Sequence, residues 1–153
     1  MISSPFLSAC YTGVLVLNTL WFSIGFWYFA LVPARAAKIV VPSSARSSPV
    51  FKTLAASLRF LGTMNFAFAA FSVLLLLAGS WFSEPRQLAL FAAVFAIAHG
   101  GQFAANLPVA LAGGRQGEAY WPVLKGPMLG IFVIDLTLML ANAVIAVALL
   151  AAA

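Results

Sequence analysis

LAASLRFLGTMNFAFAAFSVLLLLA, residues 54–78, carries a single charge, Arg59, and one side-chain amide, Asn65. A hydrocarbon core about 30 Å thick is crossed by roughly 20 apolar helical residues, so this run is long enough to span a bilayer. Gly79-Ser80-Trp81 breaks it on one side and the polar stretch 33–52 precedes it on the other. Moving outward, three more such runs emerge at about 6–32, 87–112 and 127–150. Pro33 stops the first, and Pro42-Ser43-Ser44 and Ser47-Ser48-Pro49 mark 33–52 as a polar hinge. Glu84-Pro85 opens the third, Gly113-Gly114 ends it, and Gly126-Pro127 starts the fourth.

The whole composition agrees with that reading. The 153 residues are 64% hydrophobic and 7% charged, and mean hydropathy is +1.08. Soluble domains carry about 25% charged residues, so lipid must be the solvent. Four spans nearly consume the chain. The expected fold is therefore all-α, a four-helix transmembrane bundle forming a single integral membrane domain over 1–153.

Loops one and three share a side and carry Arg35, Lys38, Arg46, Lys52, Arg115 and Lys125, whereas the opposite side holds only Arg86. The bias of Lys and Arg toward cytoplasmic loops puts both termini on the non-cytoplasmic side. A bacterial inner membrane suits the Ala-rich composition and the long basic loop. Trp21, Trp27, Tyr28, Trp81, Tyr120 and Trp121 are read as rings at the headgroup level. The net charge of +5 sits in loops facing lipid headgroups rather than on a nucleic-acid-binding surface. Cys10, the sole cysteine, forms no intrachain disulfide. Leu7-Ser8-Ala9-Cys10 imitates a lipoprotein box, but no basic segment and no full apolar segment precede it.

Each span also holds groups that hydrocarbon cannot solvate: Asn18, Arg59 and Asn65, His99 with Gln102 and Asn106, and Asp135 with Asn142. A charge at a span centre costs about 2.5–3.5 kcal/mol, so such groups turn inward and find partners. His99, Gln102 and Asn106 stand at i, i+3 and i+7, within roughly a 60° arc of one helix face. Asp135 and Asn142 are seven apart and also share a face, joined by Met128 and Met139. The expectation is one interior cluster, in which Asp135 is held by Arg59 or Gln102 and His99 meets an Asn. Each amide has a structural reading, as hydrogen-bonded glue between helices. Arg59 can instead extend its long stem to the surface.

Several chemistries lack their parts. One His and one Cys cannot build a four-ligand zinc site, and Glu84 and Glu118 lie in loops on opposite sides. No Gly-rich phosphate loop follows a strand, no span contains a lysine for a retinal Schiff base, and no nucleophile accompanies His99 and Asp135. Neither a cofactor, a metal nor a catalytic residue is expected. A carrier built from inverted repeats would need matched breaks in both halves, whereas Pro108 and Gly100-Gly101 interrupt the third span alone.

Asn18-Thr19-Leu20, Arg59-x-x-Gly62, His99-x-x-Gln102 and Pro127, in this order and approximate spacing across nearly the whole chain, resemble the ergosterol-biosynthesis scaffold family. That resemblance implies a small four-span protein that tethers other enzymes at a membrane without catalysis of its own. The chain departs from the family pattern at Thr63, where an aromatic is usual, and at Gln102, where an acid is favoured. Two functions lead, ahead of a small lipid-modifying enzyme that would lack a nucleophile and a metal set. One is an adaptor or accessory subunit with a membrane-protein partner or a second copy of itself. The other is a small lipid- or solute-binding or transporting protein whose site is His99, Gln102 and Asp135.

Overall fold

The computed structural model describes residues 4–82, 84–116 and 119–153. Glu118 lies outside the described residues, as do the side chains of Arg115 and Tyr120. Five helices follow in order: α1 (Pro5–Phe26), α2 (Pro33–Val40), α3 (Pro49–Ala78), α4 (Pro85–Leu111) and α5 (Gly126–Ala151). Four of them, α1 with its π-helical extension to Leu31, α3 extended to Trp81, α4 and α5, are long and apolar enough to cross a membrane. The fold is the expected all-α bundle, apart from a two-residue antiparallel ladder pairing Arg115–Gln116 with Ala119–Tyr120.

Proline opens all five helices, standing within the first two positions of each. Its missing N–H costs nothing there because the first-turn amides have no intrahelical acceptor. Ser4 and Ser48 supply side-chain acceptors, to Leu7 N–H and Val50 N–H, both at 3.3 Å. At the far end of α4, Gly113 and Gly114 adopt φ of +69° and +86°. The Gly114 N–H reaches Val109 O at 2.7 Å and the Gly113 N–H reaches Ala110 O at 3.1 Å. This pair of hydrogen bonds is the Schellman closure, which needs a left-handed residue and so selects glycine.

Two expectations about this scaffold need correction. The 33–52 stretch is not a plain hinge: Pro33 stops one helix and begins another, because the ring forbids a helix behind it while fitting a first turn ahead of it. It holds α2 and a 3-10 turn at Ser43–Ala45, and α3 starts at Pro49 rather than near 54. Nor does anything interrupt the third span, since α4 runs through Gly100-Gly101 and Pro108 to Leu111. Pro108 is one turn from the helix end, where a lost hydrogen bond matters least.

α2 lies on α3 through the buried Ala36 and Ala37. Arg46 then folds back on it, with Nε donating to Val41 O at 2.9 Å and a terminal guanidinium nitrogen to Lys38 O at 2.8 Å. These bonds satisfy carbonyls that the end of α2 leaves open. Arg46→Gln should therefore accelerate amide exchange at Val40 and Val41 about five- to tenfold, matching roughly 1 kcal/mol of lost bonding. The melting temperature of the bundle should not move. Unchanged exchange would show that α2 does not depend on Arg46.

The long helices form two close pairs, α1 with α3 and α4 with α5, and the pairs meet mainly where α1 crosses α5. Between α3 and α4 the space is filled by phenylalanine rings. Phe71 of α3 stacks on Phe95 of α4 with centroids 5.6 Å apart, and Phe22 of α1 joins them, stacked on Phe68 at 5.0 Å. Around them Tyr11, Leu15, Leu75, Leu88, Ala92, Ile145 and Leu149 complete the buried core. Bulky rings fill this side, whereas the side-chain amides Asn18 and Asn142 meet where α1 crosses α5.

Candidate functional site: a closed polar network between the helix pairs

On α1 the buried positions are Tyr11, Leu15, Asn18 and Phe22, a single stripe at helical spacing. On α5 Met128, Asp135, Asn142 and Leu149 recur every seven residues and are all buried. α4 adds His99. Asn18, His99 and Asp135 are wholly inaccessible and Asn142 nearly so, and the four side chains meet.

Their bonds form a chain whose protons can be placed. Asn142 Nδ2 donates to the Leu138 carbonyl, one turn back, at 2.8 Å. The reversed amide would set two oxygens against each other there, so the Asn142 orientation is fixed. Its second N–H donates to Asn18 Oδ1 at 3.1 Å, and Asn18 Nδ2 returns a bond to Asn142 Oδ1 at 2.9 Å. Asn18 Oδ1 also faces His99 Nε2 at 3.1 Å. An amide oxygen only accepts, so His99 Nε2 must carry hydrogen. One backbone carbonyl of α5 thereby sets the imidazole tautomer on α4 through two amides.

The other imidazole nitrogen, Nδ1, stands 3.2 Å from Asp135 Oδ1. The same oxygen accepts the Trp21 indole N–H at 3.0 Å. One proton is shared across the Nδ1–Oδ1 contact. Whether imidazolium faces carboxylate or imidazole faces carboxylic acid, the pair is neutral as a unit, which is what a bilayer interior tolerates. Phe22 covers the imidazole, centroids 4.6 Å apart at 22°. Asp135 Oδ2 is buried and finds no partner among the described residues.

The remaining candidates stand apart. Asn65 is buried but donates to its own helix, at Leu61 O, 2.8 Å away. Its amide oxygen lies over Gly25, where a Cβ would collide with it. Asn106 is half-buried; it donates to Gln102 O at 2.9 Å and accepts from Trp121 Nε1 at 3.2 Å. Gln102 lines a small cavity with Trp21, Gly25, Tyr28 and Asn65. Arg59 is exposed on α3. Asp135 is thus not held by Arg59 or Gln102, as the spacing suggested, but by His99 and Trp21. The His99–Asn contact is as expected, with Asn18 the partner.

Trp21 is not the headgroup ring that its sequence position suggests, since its indole N–H donates to Asp135 Oδ1. The signal that could have found it is spacing: it stands three residues after Asn18, on the same face of α1. Being 17 residues into a 27-residue span, it lies too deep for an interfacial ring, and a buried carboxylate satisfies its N–H instead.

Comparison with known proteins yields no relative: no family model matches the chain, and no curated protein or solved structure matches it. The Ser72, Thr19 and Thr137 hydroxyls all donate to carbonyls of their own helices, so none of them is poised as a nucleophile beside His99. Among the described residues no group of three His, Cys, Asp or Glu side chains comes together to hold a metal. The cavity beside Gln102 measures about 50 Å³. A single water needs roughly 10–15 Å³ on such a measure, so this space takes a few waters and no organic solute.

Proposed function

We propose that the chain is a non-catalytic adaptor or accessory subunit of a membrane assembly. On this reading it resides in a bacterial inner membrane with both termini on the non-cytoplasmic side. Its deep polar groups spend their hydrogen bonds on one another and lock the two helix pairs together, leaving its outer faces for a partner. The carrying observation is a groove of about 700 Å³ between α1 and α5, open on the outer face of the bundle. Cys10, Gly13, Val14 and Leu17 form one wall, and Leu140, Ala141 and Val144 the other. Nothing lies within 4 Å of where a Gly13 Cβ would stand. Small residues at a lipid-facing groove let a second helix approach closely, which is how helices associate where no hydrophobic drive exists. The occupant on this reading is an apolar transmembrane helix of another membrane protein. The resemblance carried by Asn18, Gly62, His99 and Pro127 to a tethering family points the same way.

Cys10 makes the test direct, since it is the sole cysteine and lies on the groove wall. A thiol-linked photocrosslinker placed there in native membranes should yield one adduct whose added mass is that of a distinct transmembrane protein. Gly13→Leu, which fills the groove without touching the polar network, should reduce that adduct at least tenfold with insertion unchanged. An adduct of twice the chain mass would assign the groove to a second copy. Lipid adducts alone, in both proteins, would overturn the reading. A transport site at His99, Gln102 and Asp135 has less support, because the cavity at Gln102 holds only a few waters and is lined by neither His99 nor Asp135.

A further inference from the structure

Where α1 ends, α2 begins and α5 starts, a second cleft opens at the end of the bundle, with a volume of about 410 Å³. Three cations surround it: Arg35 and Lys38 from α2, and Lys125 from the residue that caps α5. Arg35 and Lys38 stand three apart, on one face of α2. The buried Ala36 and Ala37 hold that helix against α3, so the two charges are presented by an anchored element. Tyr28, Ile39 and Pro122 give the cleft apolar walls.

No carboxylate neutralises these charges among the described residues. The chain has three acidic side chains: Asp135 is sealed against His99, Glu84 precedes α4 at the opposite end, and Glu118 lies outside the described residues. Arg46, by contrast, is engaged with backbone carbonyls of α2. The 26-residue α5 also points its positive end at the cleft through Gly126. Three like charges gathered at one concavity repel one another unless an anion joins them. The cleft lies at the level where the spans end, which is where lipid phosphates lie.

We propose that this cleft binds a phosphate-bearing anion, with Arg35, Lys38 and Lys125 around the phosphate and the apolar walls against the group it carries. A phospholipid headgroup and free inorganic phosphate share that chemistry. The apolar walls favour the headgroup, because they would contact its glycerol. This site is independent of whatever occupies the α1–α5 groove.

The test uses the full chain in a nonionic detergent, titrated with fluorescent phosphatidylglycerol and, separately, fluorescent phosphatidylcholine. Phosphatidylglycerol should bind at least tenfold more tightly. Lys38→Gln with Lys125→Gln should erase that preference. Lys52→Gln with Arg59→Gln removes the same charge from residues outside the cleft and should preserve it. Ile39→Trp, which fills the cleft at unchanged charge, should also erase it and serves if the first pair fails to fold. Inorganic phosphate competing as strongly as the lipid would assign the same site to a soluble phosphate. The proposal is overturned if both charge pairs weaken binding equally, or if neither the anionic lipid nor phosphate binds in preference to phosphatidylcholine.

Discussion

Asp135→Asn should destabilise the folded bundle by about 3 kcal/mol, at the lower end of the cost of breaking a buried pair by removing one partner. The substitution keeps size and shape almost unchanged, so the cost arises from hydrogen placement alone. Asp135 Oδ1 accepts from Trp21 while it is hydrogen-bonded to His99 Nδ1. A carboxylate can accept from both, and a carboxylic acid can accept from the indole while donating to Nδ1. An amide can do neither: its oxygen there opposes the Nδ1 lone pair, and its nitrogen there opposes the indole N–H. Because His99 Nε2 is already obliged to carry hydrogen, the imidazole cannot relieve the conflict by changing tautomer. Reversible unfolding from detergent into a denaturing surfactant should show the loss. The triple variant Trp21→Phe, His99→Phe and Asp135→Leu should recover most of it, since an apolar set replaces the buried polar one with little or no penalty, no indole N–H is left without an acceptor, and Phe22 can stack on either ring. A loss below about 0.6 kcal/mol, the average for interhelical polar bonds in a bilayer, would mean that the network does not lock the helix pairs.

Gly62→Leu is the second large effect expected, and its origin is steric. A Cβ at Gly62 would stand 2.6 Å from Ala30 Cβ and 2.7 Å from Ala30 Cα, and as close to that residue's backbone nitrogen. Ala30 belongs to the π-helical turn Trp27–Leu31, where the Val32 N–H reaches back five residues to Trp27 O. Because the obstacle is backbone, no rotamer change relieves it, and α3 must move off α1. Overpacking of this kind costs about 1–3 kcal/mol, and Leu should lie at the upper end. Gly62→Ala should also lower the melting temperature, even though alanine favours helix over glycine by roughly 1 kcal/mol. Gly101→Ala provides the comparison: it lies in α4 with nothing within 4 Å of its Cβ position, and should be neutral or stabilising. Equal melting temperatures for the two alanine variants would remove Gly62 as the contact that sets the α1–α3 distance.

Much of this architecture was legible in one dimension. Apolar run length marked four spans, and prolines and glycines marked their ends, because both signals are local. Membership of the polar cluster was also legible for Asn18, His99, Asp135 and Asn142, since a bilayer forces such groups inward whatever the fold. Pairing was not. Choosing His99 and Trp21 over Arg59 and Gln102 as the partners of Asp135 depends on how each helix is rotated about its axis and which helices are neighbours. Helical periodicity is silent on both. Arg59 illustrates the difference: α3 is 30 residues long, about 45 Å at 1.5 Å per residue, and longer than the hydrocarbon is thick. Its first turns extend past the apolar layer, so a long basic side chain near that end can reach the headgroups and has no need of the interior. The charged cleft was equally hidden, because Lys125 comes almost 90 residues after Lys38 and only the folded chain brings them to one opening.

The span in sequence between the members of the polar network bears on how the protein is made. Asn18 must wait 81 residues for His99 and 124 for Asn142, and Trp21 waits 114 for Asp135. At a synthesis rate of about 5–20 residues per second, Asn18 is made roughly 4–16 s before the first of these partners. During that interval the amide and indole of α1 face a bilayer that cannot solvate them, although α3 is already available to pack against. Release of the nascent first pair from the site of insertion should therefore follow the arrival of α5.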